Sequence, residues 1–107
     1  MQNEILRTGP ANLQRGIESV GGTLSLSSSV LRFKPHLINA NRETVEINVD
    51  TIVNVQPVRT RFLGRVPLFD NAFIAVLADR RKYRFTVRNR DKWVDAIRAY
   101  LASEHQA

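Results

Sequence analysis

The feature that most constrains this chain is a change of hydrophobic period near its C-terminal end. From Lys82 to Arg88 the residues alternate strictly, with Tyr83, Phe85 and Val87 on one side and Lys82, Arg84, Thr86 and Arg88 on the other. A period of two predicts a half-buried strand. Asn89 then offers a side-chain acceptor at an N-cap position, and Asp91 places negative charge in the first turn, where the helix dipole favours it. Beyond that point the period becomes 3.6. Trp93, Val94, Ile97, Tyr100 and Leu101 share one arc, and Asp91, Asp95 and Arg98 fall outside it. A lone helix must bury such a stripe, and everything upstream reads as strand. The expectation is a sheet or barrel closed by this one helix.

Taken in order, residues 1–9 read as a lead-in before a break at Gly9-Pro10. Ala11 to Val20 reads as an irregular strand, with Gly16 at a bulge or close approach. Gly21-Gly22 reads as a tight hairpin turn, because glycine takes positive φ cheaply. Thr23–Ser27 and Val30–Lys34 alternate cleanly, and Pro35 ends the second of them. After a polar connection to Glu43, further strands are expected at Thr44–Val49, Ile52–Val58, Ala72–Ala78 and Lys82–Arg88. Arg59 to Asn71 reads as a long loop. Its Phe62, Leu63, Leu68 and Phe69 either pack on the body or present an apolar surface among Arg59, Arg61 and Arg65. Seven strands and one helix make a mainly β domain over residues 10–102, a barrel or orthogonal sandwich with a helical plug, followed by a short tail.

Several function classes drop out on composition. The 107 residues suit one domain, and 43% hydrophobic content supports a core. There is no cysteine, which excludes disulfides and thiolate metal sites. No apolar run approaches the ~18 residues of a membrane span, and Met1 to Arg7 lacks a signal peptide's apolar core. A cytoplasmic protein is expected. His36 and His105 have no partner at metal-ligand spacing. Gly16 to Gly21 has one residue too many before Ser19 for a nucleophile elbow, Gly21-Gly22 lacks the Lys-Ser/Thr of a phosphate loop, and the acids form no pair. The expectation is no cofactor and no enzyme.

The net charge of +6 is placed unevenly. Residues 59–65 contribute +3 and residues 79–92 contribute +5, so the remainder is net acidic. Such stretches attract phosphates, anionic lipid or acidic protein surfaces, or simply form a solvated face. Nucleic acid fits poorly despite the sequence pI of about 10.8. Tyr83, Phe85 and Trp93, which could stack on bases, all face inward in this reading.

Gly21 to Ser27 followed by Val30 to His36 resembles the opening of the GRAM family: a glycine turn, a strand with Leu-x-Leu-Ser, then a strand with Leu-x-Phe. Ala11-Asn12, Ile47 to Val55, and Tyr83-Arg84-Phe85 leading to Asp91-Lys92-Trp93 are similar as well, and the likeness spans residues 10 to 101. It implies a pleckstrin-homology-like fold, with two roughly orthogonal antiparallel sheets closed at one corner by the C-terminal helix. It also implies a non-enzymatic module for phosphoinositides, other anionic lipids or proteins, peripheral to a membrane. The lipid end of such folds is ringed by the turns after strands one, three and six, here Ser19–Gly22, Pro35–Glu43 and Asp79–Lys82. That nominates Arg80, Arg81, Lys82, Arg42 and Arg84 as the anionic contact, with Arg59, Arg61, Phe62, Leu63 and Arg65 as an alternative interaction loop. One departure stands out. Phosphoinositide-binding relatives carry several cations on the first two strands, and this chain has only Arg15 there, opposed by Glu18. What remains is attraction to anionic surface, at up to ~1 kcal/mol per basic residue.

Overall fold

The computed structural model describes residues 5–16, 18–37, 43–62 and 66–106, with 59–62, 66–70 and 103–106 as backbone only. Seven strands precede one helix: β1 (Ile5–Arg15), β2 (Glu18–Ser27), β3 (Val30–Pro35), β4 (Val45–Asn48), β5 (Ile52–Phe62), β6 (Val66–Leu77), β7 (Lys82–Val87) and α1 (Arg90–Gln106). A 3₁₀ turn, Val49–Thr51, joins β4 to β5. The strands form one antiparallel sheet in the order β4-β3-β2-β1-β7-β6-β5. Its two ends, β4 and β5, are not hydrogen-bonded neighbours, so the sheet folds over as a sandwich and does not close into a barrel. Phe85 marks where the halves meet: its ring lies 6.0 Å from that of Phe33 and 5.5 Å from that of Phe73.

The period switch performs as the pattern requires. Phe85 and Val87 are buried from β7, and Trp93, Val94 and Ile97 are buried from α1, all in the core shared with Leu13, Leu24, Leu31 and Ile52. Asn89 stands at the junction, but at φ 54° rather than in the extended conformation usual for an N-cap. Its carbonyl accepts the first helical bonds, from Lys92 N–H and Trp93 N–H.

Two glycine roles are exchanged relative to the sequence reading. The β1–β2 turn falls at Gly16, which takes φ 61° with open space where a side chain would sit. Gly21 and Gly22 lie inside β2, where Gly22 pairs with Ala11 on one side and Pro35 on the other. A Cβ on Gly22 would lie 2.4 Å from the Lys34 carbonyl oxygen and 2.8 Å from Pro35 Cα. The glycine is there for close approach, not for a turn.

Two boundaries also move. The expected lead-in is strand: residues from Ile5 to Pro10 continue β1 along β2 as far as Ser27. Pro10 fits because β1 meets β7 only at residues 11–13, so a missing N–H on that side breaks no ladder bond. The expected 59–71 loop is the far part of a β5–β6 hairpin, with Thr60 opposite Phe69 and Phe62 opposite Val66. Its pairing slips after Val58 and again after Thr60, and such irregularity erases the alternation by which a strand is read.

At the slip after Val58, α1 supplies a clamp. Arg90 is 8% exposed, and its Nη1 donates to the carbonyls of Val58 (2.9 Å) and Ala72 (3.0 Å), the last residues paired before the slip. Its Nε donates to Asp91 Oδ1 at 2.6 Å. About two helical turns on, Arg98 Nη2 donates to the Val55 carbonyl at 2.7 Å. Two cations that count as surface charge in the sequence therefore hold the end strand to the helix.

Candidate functional site

Register places three turns on one side of the sheet. β1 and β7 pair from Ala11↔Val87 to Leu13↔Phe85, so moving along β1 towards Arg15 is moving along β7 towards Lys82. β2 and β3 pair from Leu26↔Leu31 to Gly22↔Pro35, so moving along β2 towards Glu18 is moving along β3 towards His36. The turn after the first strand spans Arg15 to Glu18, not Ser19 to Gly22 as expected. The other two follow β3 and β6.

The β6–β7 turn is the most clearly built of the three. Arg80 N–H donates to the Leu77 carbonyl at 2.9 Å, and Leu77 N–H donates to the Arg81 carbonyl at 2.9 Å. This is a three-residue hairpin loop whose last position is left-handed, the place where glycine is usual. Here it is Arg80, at φ 77° and exposed. A side chain in that region costs roughly 1–2 kcal/mol that glycine would not.

The other nominated cations are not equivalent. Asp79 Oδ1 accepts Arg81 N–H at 3.1 Å and its Oδ2 accepts Arg81 Nε at 2.8 Å. The bond from the Arg81 backbone N–H, helped by the guanidinium, holds the Asp79 carboxyl below its ordinary value, and the same pair raises Arg81. Arg81 Nη1 also reaches the Tyr83 hydroxyl at 3.3 Å. Its charge is thus answered within the turn. Lys82 is exposed and, like Arg80, forms no ion pair with a described residue. Arg84 is half-buried on the outer face of β7, opposite Ile74. Arg42 lies outside the described residues. Of the alternative set, Arg59, Arg61 and Phe62 are carried by β5 as backbone, and Leu63 and Arg65 lie outside the described residues.

The structure adds one feature that the sequence reading passed over. Leu37, just past β3, is 67% exposed. His36 N–H donates to the Gly21 carbonyl at 3.1 Å and fixes the chain immediately before it. One leucine in a polar connection carries no periodic signal, so no pattern could have singled it out. Among the described residues no group of acids and histidines could hold a metal ion, and no helix is long and apolar enough to cross a membrane.

No family model and no curated sequence matches this chain. Solved structures do. The C-terminal domain of an unknown protein from Leishmania infantum superposes with a TM-score of 0.73 at 18% identity, covering 94% of this chain and 85% of that one. The linker-DH/PH fragment of p115-RhoGEF gives 0.72 at 13% identity over 95% of this chain, which spans only 30% of that fragment. The N-terminal PH domain of human ARAP2 gives 0.64 at 16% identity, covering 92% and 80%. The fold is pleckstrin-homology-like.

Proposed function

We propose that this chain is a non-catalytic, GRAM-type binding module that acts peripherally on an anionic membrane surface in the cytoplasm through its β6–β7 turn. The observation that carries the reading is Arg80, held exposed in a left-handed position that glycine would occupy without strain, next to the uncompensated Lys82. Strain kept at an exposed cation is a pointer to use. Exposed Leu37, on the same side of the sheet, supplies the apolar contact that complements headgroup attraction. With few cations on β1 and β2, the recognition is of surface charge rather than of one inositol phosphate.

Co-sedimentation with vesicles tests this. The wild type should pellet with phosphatidylserine-containing vesicles and stay in solution with neutral ones. Arg80→Glu should weaken binding by at least fivefold, on ~1 kcal/mol per charge. Asp79→Asn, which releases Arg81 from its partner, should strengthen it by up to about fivefold on the same basis. Equal pelleting with both vesicle types would overturn the proposal.

A second reading rests on the β5–β6 hairpin, whose strands have 11 and 12 residues, lengths that only β1, with 11, reaches elsewhere in the sheet. It makes the hairpin a protein-docking arm through Arg59, Arg61, Phe62, Leu63 and Arg65. A partner captured by the wild type and lost on Phe62→Ser with Leu63→Ser would favour it. Capture unaffected by these changes would count against it.

A further inference from the structure

One broad surface is used neither by the β6–β7 turn nor by the hairpin: the outer face of β3, β2, β1 and β7, neighbours in that order. Partners across an antiparallel pair share a face, and residues alternate between faces along each strand. Phe33, Leu24, Leu13 and Phe85 mark the core side of the four strands. The residues between them make the opposite face. One cross-strand row there runs from Lys34 through Thr23 to Pro10. It ends at Arg88, which follows the Ala11↔Val87 pair and lines a cavity together with Pro10. The next row starts at His36, whose N–H donates to the Gly21 carbonyl, and continues from Gly21 through Asn12 to Thr86.

The chemistry of these two rows is one-sided. Apart from Pro10, every side chain in them is polar or charged, and none is an acid. Glu46 reaches this face from β4, but it is held by Arg32 at 2.7 Å. Lys34 and Arg88 are exposed and form no ion pair with a described residue. Arg84, two residues before Thr86 on the same face, adds to the positive field.

Spacing selects the kind of anion. Lys34 and Arg88 stand three strand spacings apart, about 14 Å. One small ion cannot bridge that distance. Two carboxylates about four residues apart on an extended chain can, because such a chain advances about 3.4 Å per residue. Between the two cations lies a cavity of about 270 Å³, lined by His36, Asn12, Thr86 and Arg88 among others. Gly21 keeps its floor low: a Cβ there would lie 3.2 Å from Asn12 Oδ1 and 3.5 Å from His36 Cδ2.

We infer that this face docks an extended acidic segment of a protein partner. Carboxylates of the segment pair with Lys34 and Arg88, and the chain between them crosses the cavity, where Asn12 and Thr86 meet its polar groups. A membrane suits the face less well, since no large apolar side chain stands in these rows to enter the lipid boundary. Nucleic acid suits it less well too, because the rows hold no aromatic side chain for bases to stack on and few cations for phosphates. The surface is separate from the β6–β7 turn, and either can act without the other.

Fluorescence anisotropy of the full chain with two labelled peptides tests the inference. In one peptide glutamates recur every fourth residue among serines and threonines; in the other the same residues are present with the glutamates contiguous. The spaced peptide should bind at least threefold more tightly. Lys34→Gln and Arg88→Gln, both exposed changes that leave the core alone, should each weaken it by about threefold, and together by about tenfold, since sites this far apart add. Arg80→Gln removes the same charge elsewhere and should leave peptide binding unchanged. Equal affinity for the two peptides, or equal losses in all three single variants, would reveal general attraction to a basic chain and overturn the inference. So would a double variant that keeps its peptide affinity but no longer pellets with phosphatidylserine vesicles, which would give the face to the membrane.

Discussion

Trp93→Ala is expected to destabilise the fold by about 3–5 kcal/mol, the range for removing a buried indole from a packed interior. In a chain of this length that corresponds to a fall in Tm on the order of 15–25 °C. The indole is 2% exposed and sits mid-stripe on α1. Gly9 of β1 packs close to its ring, with space for a Cβ at 3.9 Å from Cζ2, and Arg7 stacks on it. Its loss therefore unseats both the helix and the first half of β1. Trp93→Phe, which refills most of the volume, should recover more than half of the loss. Thermal melting followed by circular dichroism measures both. A shift of only a few degrees for the alanine variant would mean that the helix is not what closes the sandwich.

Gly22→Ala is expected to be comparably damaging, at about 3 kcal/mol or more, and Gly21→Ala is expected to cost less than about 1 kcal/mol. Overpacking a tight interior typically costs 1–3 kcal/mol, and more when the obstacle cannot move. At Gly22 the obstacles are backbone: the Lys34 carbonyl oxygen and Pro35 Cα, both of β3, at 2.4 and 2.8 Å. Relief requires β3 to pull away from β2. At Gly21 the nearest atom is the Asn12 side-chain oxygen at 3.2 Å, which can rotate aside. Urea unfolding of the two single variants gives the contrast directly. Equal midpoints would show that the β2–β3 approach is looser than this geometry.

The fold was legible wherever the hydrophobic period was clean. Tyr83 to Leu101 announced a strand and a plugging helix, and both stand. Leu24 and Leu26, Leu31 and Phe33, and Ile47 with Val49 marked their inward faces correctly. Errors gathered where the cause of a residue is not local. Gly22 answers to β3, a partner 13 residues away in sequence. Ile5 to Pro10 is strand because β2 is long enough to receive it, not because of its own pattern. Residues 59–71 lost their alternation to register slips. The site was legible only in outline. The basic turn could be seen, but not that Asp79 answers Arg81, nor that Arg80 adopts the left-handed conformation. Arg90 was invisible as a structural residue, since nothing in its neighbours predicts two carbonyls reached across 18 and 32 residues.

The arginines of α1 have a consequence for how this molecule behaves in a crowd. A sheet that does not close offers its terminal strands as templates for other chains, and a long terminal strand is the greater hazard. At the far end β4 has only four residues. β5 has 11, yet its middle is already spoken for: Pro57 has no N–H to offer, and the Val55 and Val58 carbonyls hold Arg98 and Arg90. A helix that seals the core thus also guards against runaway strand addition. An open sandwich can stay monomeric at high concentration on that account.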